Sequence, residues 1–324
     1  MSQITVGIPA YKATYLSQAI ASVLAQTFTD FELLISDDCP DGSVRAVVAR
    51  FADPRIRVIE GPRQGLVPNS RHIWDQASCD LLKFVYDDDF LLPFALAELS
   101  NALSSDPVYT YAFSFRHNVD ATGRILSSPE PFASKAATRF EAPIIAAHII
   151  SKIRNPVGEP SNILIRRSVF PDSSCLAAYC GIPIRHLIDV AFYMNAAHRG
   201  PCVGTPAFHA AFRKHPEQVS MLRKAPAFSA GLYEWEICMR GAVQSGLLPP
   251  ATAAAGLTEL TRAYTLFQEG YPELVQFRSK LPALRALLEA GETQVLTDEF
   301  YADLRSAETL IAARIASTDN STTD

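Results

Sequence analysis

The densest chemistry in the chain is a run of three acids, Asp87-Asp88-Asp89, directly after the apolar segment 81–85 (LLKFV). Adjacent carboxylates repel one another, and a divalent cation that favours oxygen ligands relieves the repulsion. A Mn²⁺ or Mg²⁺ ion held there keeps open positions for diphosphate oxygens and stabilises charge on a departing phosphate. The alternative is a solvated acidic turn. A second pair, Asp37-Asp38, closes another apolar run, and a carboxylate there accepts from a base N–H or a ribose hydroxyl, or caps a turn. Tyr11, after Pro9-Ala10, offers a flat face to a base or packs in the core. Gln64-Gly65 leaves room for backbone to approach a ligand. Arg71 is placed either to reach phosphate or to stand in solvent.

These residues need elements to hold them. Segments 4–9, 31–36, 56–59 and 81–85 are apolar runs that read as buried strands. Between them, Thr14 is a cap for a helix with Leu16, Ile20, Val23 and Leu24 on one face. Ser43 is a cap for a second helix with Val44, Val47, Val48 and Phe51 inward, and a third helix runs through 72–77. Strands alternating with helices predict an α/β fold, a mostly parallel sheet flanked by helices. Ligands of such sheets bind beyond the carboxyl ends of the strands, which is where Tyr11, Asp37-Asp38 and Asp87-Asp88-Asp89 fall.

Farther on, 108–117 alternates as a strand, and 118–142 reads as a long loop of the kind that forms lids. Segment 162–165 is another strand and 183–197 a helix. From about residue 225 the pattern is helical, with Leu257, Leu260, Tyr264 and Phe267, then Leu304, Ala307, Ile311 and Ile315, at helical spacing. The expected organisation is one domain over 1–222, in two halves at 1–105 and 106–222, then a helical appendage at 223–324.

Composition narrows the classes. Of 324 residues, 48% are hydrophobic and 19% charged, so a core is easily buried and a disordered chain is excluded. A net charge of -5 without a long basic block argues against nucleic acid as a partner. No signal peptide and no membrane-spanning apolar run is legible, so a soluble, cytoplasmic protein is expected. The six cysteines form no CxxC pair and read as small apolar side chains. No P-loop and no G-x-G-x-x-G after a strand occurs.

Taken together, the run ITVGIPAYKATYLSQAIASVLAQTFTDFELLISDD, then DGS, QGLVPN and LLKFVYDDDFLLP, resembles family 2 glycosyltransferases with the GT-A fold. The resemblance covers roughly the first 95 residues strongly and runs on more weakly to about residue 220. It implies roles for matching positions. Tyr11 contacts the base, with Pro9 and Ala10 shaping that wall. Asp38 binds the base beside Asp37, and Gly65, Arg71 and Asp87 stand on the nucleotide side. Asp88 is the principal metal ligand, helped by Asp87 or Asp89, with His215 assisting the metal or the diphosphate. Tyr86 stands where many members carry aspartate. The segment GEPSNILIRRSVF resembles the acceptor-side strand and turn, and Asp189, in the following His186-Leu187-Ile188-Asp189, matches the general base. FRKHPEQVS resembles a late R-x-H motif, in which Arg213 would offset phosphate charge.

The implied activity is inverting transfer from a nucleotide-sugar donor, UDP-sugar favoured, to a hydroxyl of a glycan, lipid-linked or other acceptor, in bacterial polysaccharide or glycan synthesis. Two rival readings are a sugar-nucleotide-forming nucleotidyltransferase and a non-catalytic scaffold. The role of the helical end is open among an acceptor, a peripheral membrane contact and a second copy in a homo-oligomer.

Overall fold

A computed structural model describes residues 3–216, 218 and 225–321. The chain begins β1 (Ile4–Ala10), α1 (Leu16–Leu24), β2 (Phe31–Asp37), α2 (Ser43–Val48), β3 (Ile56–Glu60), α3 (Leu66–Gln76), β4 (Leu81–Phe84), β5 (Phe90–Leu91) and α4 (Ala95–Ser104). It continues β6 (Tyr111–Val119), β7 (Ile125–Ser127), β8 (Thr138–Phe140), α5 (Ala142–Lys152), β9 (Ile163–Arg166), β10 (Ala178–Tyr179), β11 (Ile182–Pro183), α6 (Ile188–Ala197) and β12 (Cys202–Arg213). Helices α7 (Phe228–Gln244), α8 (Pro250–Phe267), α9 (Glu273–Glu289) and α10 (Asp298–Ser321) follow.

Two compact units form. The first holds Met1–Ala142, Pro156–Leu176 and Arg199–His215; the second holds Pro143–Asn155, Ala177–His198 and Pro216–Asp324. Segments 143–155 and 177–198, read from sequence as part of the first domain, therefore group with the C-terminal helices. The boundary expected at 222/223 lies outside the described residues.

The first unit is built on a sheet of order β3-β2-β1-β4-β9-β6-β12-β5, with β7 and β8 attached at β6 and β12. Strands β1, β2, β3 and β4 pair in parallel, as do β6 and β12, while β9 and β5 run antiparallel to their neighbours. Every residue of β1 is buried, as expected of a strand covered on both faces. In α1 the buried face is Leu16, Ala19, Ile20 and Val23. Leu16, Ile20 and Val23 each contribute about 1.5–3 kcal/mol on burial.

Both expected caps are displaced. Helix α1 has Tyr15 at its N-cap with no side-chain cap bond, so Thr14 does not cap it. Ser43 is the first residue of α2, and Asp41 Oδ1 accepts its amide at 2.8 Å. The stretch expected as a loop at 118–142 is partly ordered by β7 and β8. Phe132 packs against Phe113, Phe115 and Phe140 at ring-centroid distances of 5.6, 4.9 and 5.1 Å and pins it to the sheet.

In the second unit, α6 starts at Ile188 rather than near 183, because β11 takes 182–183 and the amides of 185–187 bond elsewhere. No helix among the described residues is long and apolar enough to cross a membrane.

Candidate active site

Parallel pairing places the ends of β1 and β2 side by side, Ala10 opposite Asp37, and Gly7 opposite Phe84 near the end of β4. Pro9 and Ala10 are buried in the strand. Tyr11, just beyond them, is 54% exposed, so its ring is not a core residue. The backbone amides of Tyr11 and Lys12 both donate to Asp87 Oδ2 at 2.7 Å. Asp87 is thus a clasp between the ends of β1 and β4. Burial pushes its carboxyl up to about 6, the two amides pull the other way, and Asp88 beside it adds to the rise.

Asp38 is 2% exposed and accepts the amides of Arg63 and Gly65, the latter at 3.0 Å. It holds the 61–65 loop, in which a Cβ on Gly61 would fall 2.8 Å from Asp38 Oδ1. Gly65, at φ +89, turns that loop into α3. Asp37 accepts the Cys39 amide and the Arg45 guanidinium, each at 3.1 Å. Both acids of the pair therefore bond within the fold and shape the loops around Tyr11. Arg71 is exposed and donates to Ser173 Oγ at 3.2 Å.

The three adjacent acids face three ways. Asp88 is half-buried, and its Oδ2 lies 3.1 Å from His215 Nε2. His215 is itself flanked by Tyr15, ring centroids 5.2 Å apart. Asp89 is 1% exposed, and its Oδ1 accepts the Arg213 amide at 3.1 Å. Burial, then the Asp88 charge, raises its carboxyl well above the usual range. The structure thus brings Asp88 and His215 together, across 127 residues of sequence, and turns Asp89 inward.

Two further residues complete the setting, and sequence reasoning missed the role of each. Arg213 is 1% exposed. Its Nε donates to Asp88 O at 2.8 Å, Nη1 to Asp120 O and Ala121 O at 3.1 and 2.8 Å, and Nη2 to Gln18 Oε1 at 2.6 Å, with Tyr15 stacked 4.3 Å from its guanidinium carbon. It is a strut beneath the acidic turn rather than a cation offered to phosphate. Lys83, fully buried in β4, donates to Ser161 O. Burial lowers its amine to about 7, with the Asp89 charge opposing. A lysine inside the run LLKFV was the available signal, because lysine is almost never fully buried unless paired.

Asp189 belongs to the second unit, as the second residue of α6. Its Oδ1 accepts its neighbour's amide, Val190 N, and its Oδ2 accepts Asn155 Nδ2, both at 2.7 Å.

Among the described residues no three His, Cys, Asp or Glu side chains group as a metal-holding cluster. Asp88 with His215 supplies two donors at one point. The Asp88 carboxylate suits a Mn²⁺ or Mg²⁺ ion, which sits on one or two carboxylates and takes its other ligands from substrate phosphate and water, while the imidazole is a donor that such hard ions favour less.

The acids and the open aromatic thus lie at the carboxyl edge of the parallel strands, where ligands of such sheets bind. Residues 5–173, just over half of the chain, match the family described as Glycosyl transferase family 2. The chain belongs to that family.

An uncharacterized protein of Mycobacterium tuberculosis is 27% identical over 215 residues, 63% of this chain and 64% of that one. A Campylobacter jejuni GalNAc(5)-diNAcBac-PP-undecaprenol beta-1,3-glucosyltransferase is 34% identical over 104 residues, 31% of this chain and 34% of the relative. The chain thus spans less than two thirds of either relative. Among solved structures, Staphylococcus aureus TarS 1-349 in complex with UDP-GlcNAc superposes at TM-score 0.59 with 16% identity, over 95% of this chain and 90% of that one. At that identity the match shows the fold.

Proposed function

We propose that the chain transfers a sugar from a UDP-sugar to an acceptor hydroxyl with inversion, assisted by Mn²⁺ or Mg²⁺. The observation that carries the reading is the Asp88–His215 pair at the carboxyl edge of the parallel strands, in the same sheet that sets Tyr11 out in the open. The UDP-GlcNAc and UDP complexes of the TarS neighbours support a uridine donor. The names of the Campylobacter relative and of an Escherichia coli UDP-Glc:alpha-D-GlcNAc-diphosphoundecaprenol beta-1,3-glucosyltransferase, 23% identical over 186 residues, support a lipid-linked glycan acceptor in bacterial glycan assembly.

In this reading Tyr11 lies against the uracil, and Asp37 and Asp38 hold the loops that wall it. Asp88 and His215 would hold the ion, which supplies positive charge to the diphosphate as it departs. The Asp189 carboxylate is assigned as the base that takes the proton of the acceptor hydroxyl as that oxygen forms its bond to the anomeric carbon. The bond from that carbon to the diphosphate oxygen breaks, its electron pair leaves with UDP, and one displacement inverts the centre.

A screen of UDP-glucose and UDP-N-acetylglucosamine, scoring released UDP with Mn²⁺, EDTA or neither, tests the reading. Turnover should require the ion, Asp88→Ala should lose both turnover and metal-linked UDP heat in calorimetry, and Asp189→Asn should lose turnover while keeping that heat. Metal-independent turnover in Asp88→Ala removes the ion from the proposal, and normal turnover in Asp189→Asn removes the base.

A further inference from the structure

Helix α7 carries Glu234, 2% exposed. Its carboxylate accepts three consecutive backbone amides: Arg185 N on Oε1 at 2.8 Å, and His186 N and Leu187 N on Oε2 at 2.9 and 2.7 Å. These residues lead directly into α6, whose N-cap Leu187 offers no side-chain cap. The three amides belong to the N-cap and the two residues before it, and an acid 47–49 residues away pairs all of them. Gly231, one turn earlier on α7, lets the segment approach: a Cβ there would lie 3.3 Å from His186 Cβ. Cys238, one turn later, is fully buried; burial raises its thiol most, and the charges of Glu234 and Asp189 add to the rise. Helix α7 thus lies along the turn that bears Asp189.

We propose that Glu234 is a positioning residue for sugar transfer: by clamping the amides of 185–187 it sets the direction in which α6 presents Asp189. The inference rests on Asp189 being the base. It gives the helical region a part in the chemistry. Both carboxylate oxygens receive N–H donors, so an amide in place of the acid turns an NH₂ toward a backbone N–H and breaks one side of the clamp without changing side-chain volume.

The test compares wild type, Glu234→Gln, Asp189→Asn and the double variant. It reads UDP release per folded site from whichever of UDP-glucose and UDP-N-acetylglucosamine turns over faster with Mn²⁺. Glu234→Gln should lower kcat about tenfold or more, with donor KM within about twofold, since misplacing a reacting group by about 1 Å costs on the order of a hundredfold. In the Asp189→Asn background the same change should alter the residual rate by less than about twofold, because the group it positions is gone. A purely structural role would reduce the folded fraction and leave kcat per folded site intact. Wild-type kcat in folded Glu234→Gln, or an equal loss in both backgrounds, overturns the proposal. Wild-type turnover in Asp189→Asn sinks the base assignment itself, a separate outcome. If Glu234→Gln does not fold, Gly231→Ala presses on His186 without touching the carboxylate; it should lower kcat about threefold at unchanged KM, and unchanged kcat overturns the clamp.

Discussion

Replacing Arg213 by lysine separates a strut from a phosphate ligand. The arginine side chain makes four hydrogen bonds inside the first unit, to Asp88 O, Asp120 O, Ala121 O and Gln18 Oε1. A lysine keeps the charge but cannot serve four acceptors spread around a planar fork. Leaving two of them unpaired in a site that is 1% exposed costs about 1–3 kcal/mol each, so a loss centred on about 4 kcal/mol is expected. That is a large part of a typical 5–15 kcal/mol, yet it leaves the protein folded at 25 °C. The bond to Asp88 O is the one that ties stability to chemistry. Without it the turn carrying Asp88 is free to shift, and a shift of about 1 Å lowers kcat/KM on the order of a hundredfold. Urea melts and Mn²⁺-dependent UDP release on the same samples read both effects. A variant with a lowered midpoint and wild-type kcat/KM would refute the link between this network and the placement of Asp88. An unchanged midpoint would refute the energetic reasoning.

Further outcomes follow from burial. Glu234 has its carboxyl pushed up to about 7 by burial, with the amides of Arg185, Leu187 and His186 opposing. An acid raised in the fold favours the folded state at low pH, and that advantage is lost as pH rises through the folded value. Relative to Glu234→Gln, wild type should gain about 2 kcal/mol between pH 8 and pH 5.5, read as a difference in urea midpoints; a gain in the opposite direction contradicts the burial argument. Burial pushes the Cys175 and Cys202 thiols up to about 12. At pH 8 only about one in ten thousand such thiols is thiolate, so native protein should label first at the exposed Cys180; rapid labelling of several thiols would contradict this. Gly256→Ala should destabilise: its Cβ would fall 2.1 Å from Ile150 O. The helix-propensity gain of about 1 kcal/mol is outweighed by forcing α8 off α5, and a stabilised variant would show that α5 yields freely.

Much of the fold is legible in the chain. Apolar runs of strand length with helical periods between them report burial on a sheet, because side-chain period depends only on local backbone geometry. The end of each run follows from where its apolar residues stop, so the pattern alone puts Tyr11, Asp38 and Asp88 at strand ends. The family follows from the same ordered segments. What the chain does not disclose is which way a polar side chain turns once placed. Asp87, Asp88 and Asp89 are chemically identical in sequence. Only packing decides that the first clasps β1, the second meets His215 and the third is buried beside Lys83. Arg213 reads as a cation for phosphate until Asp120, Ala121 and Gln18 surround it. Glu234 reads as one acid in a helix until 185–187 folds against it, and segments 143–155 and 177–198 join the C-terminal helices for a related reason. The partner that makes buried charge tolerable lies tens of residues or more away, and no local pattern carries that distance.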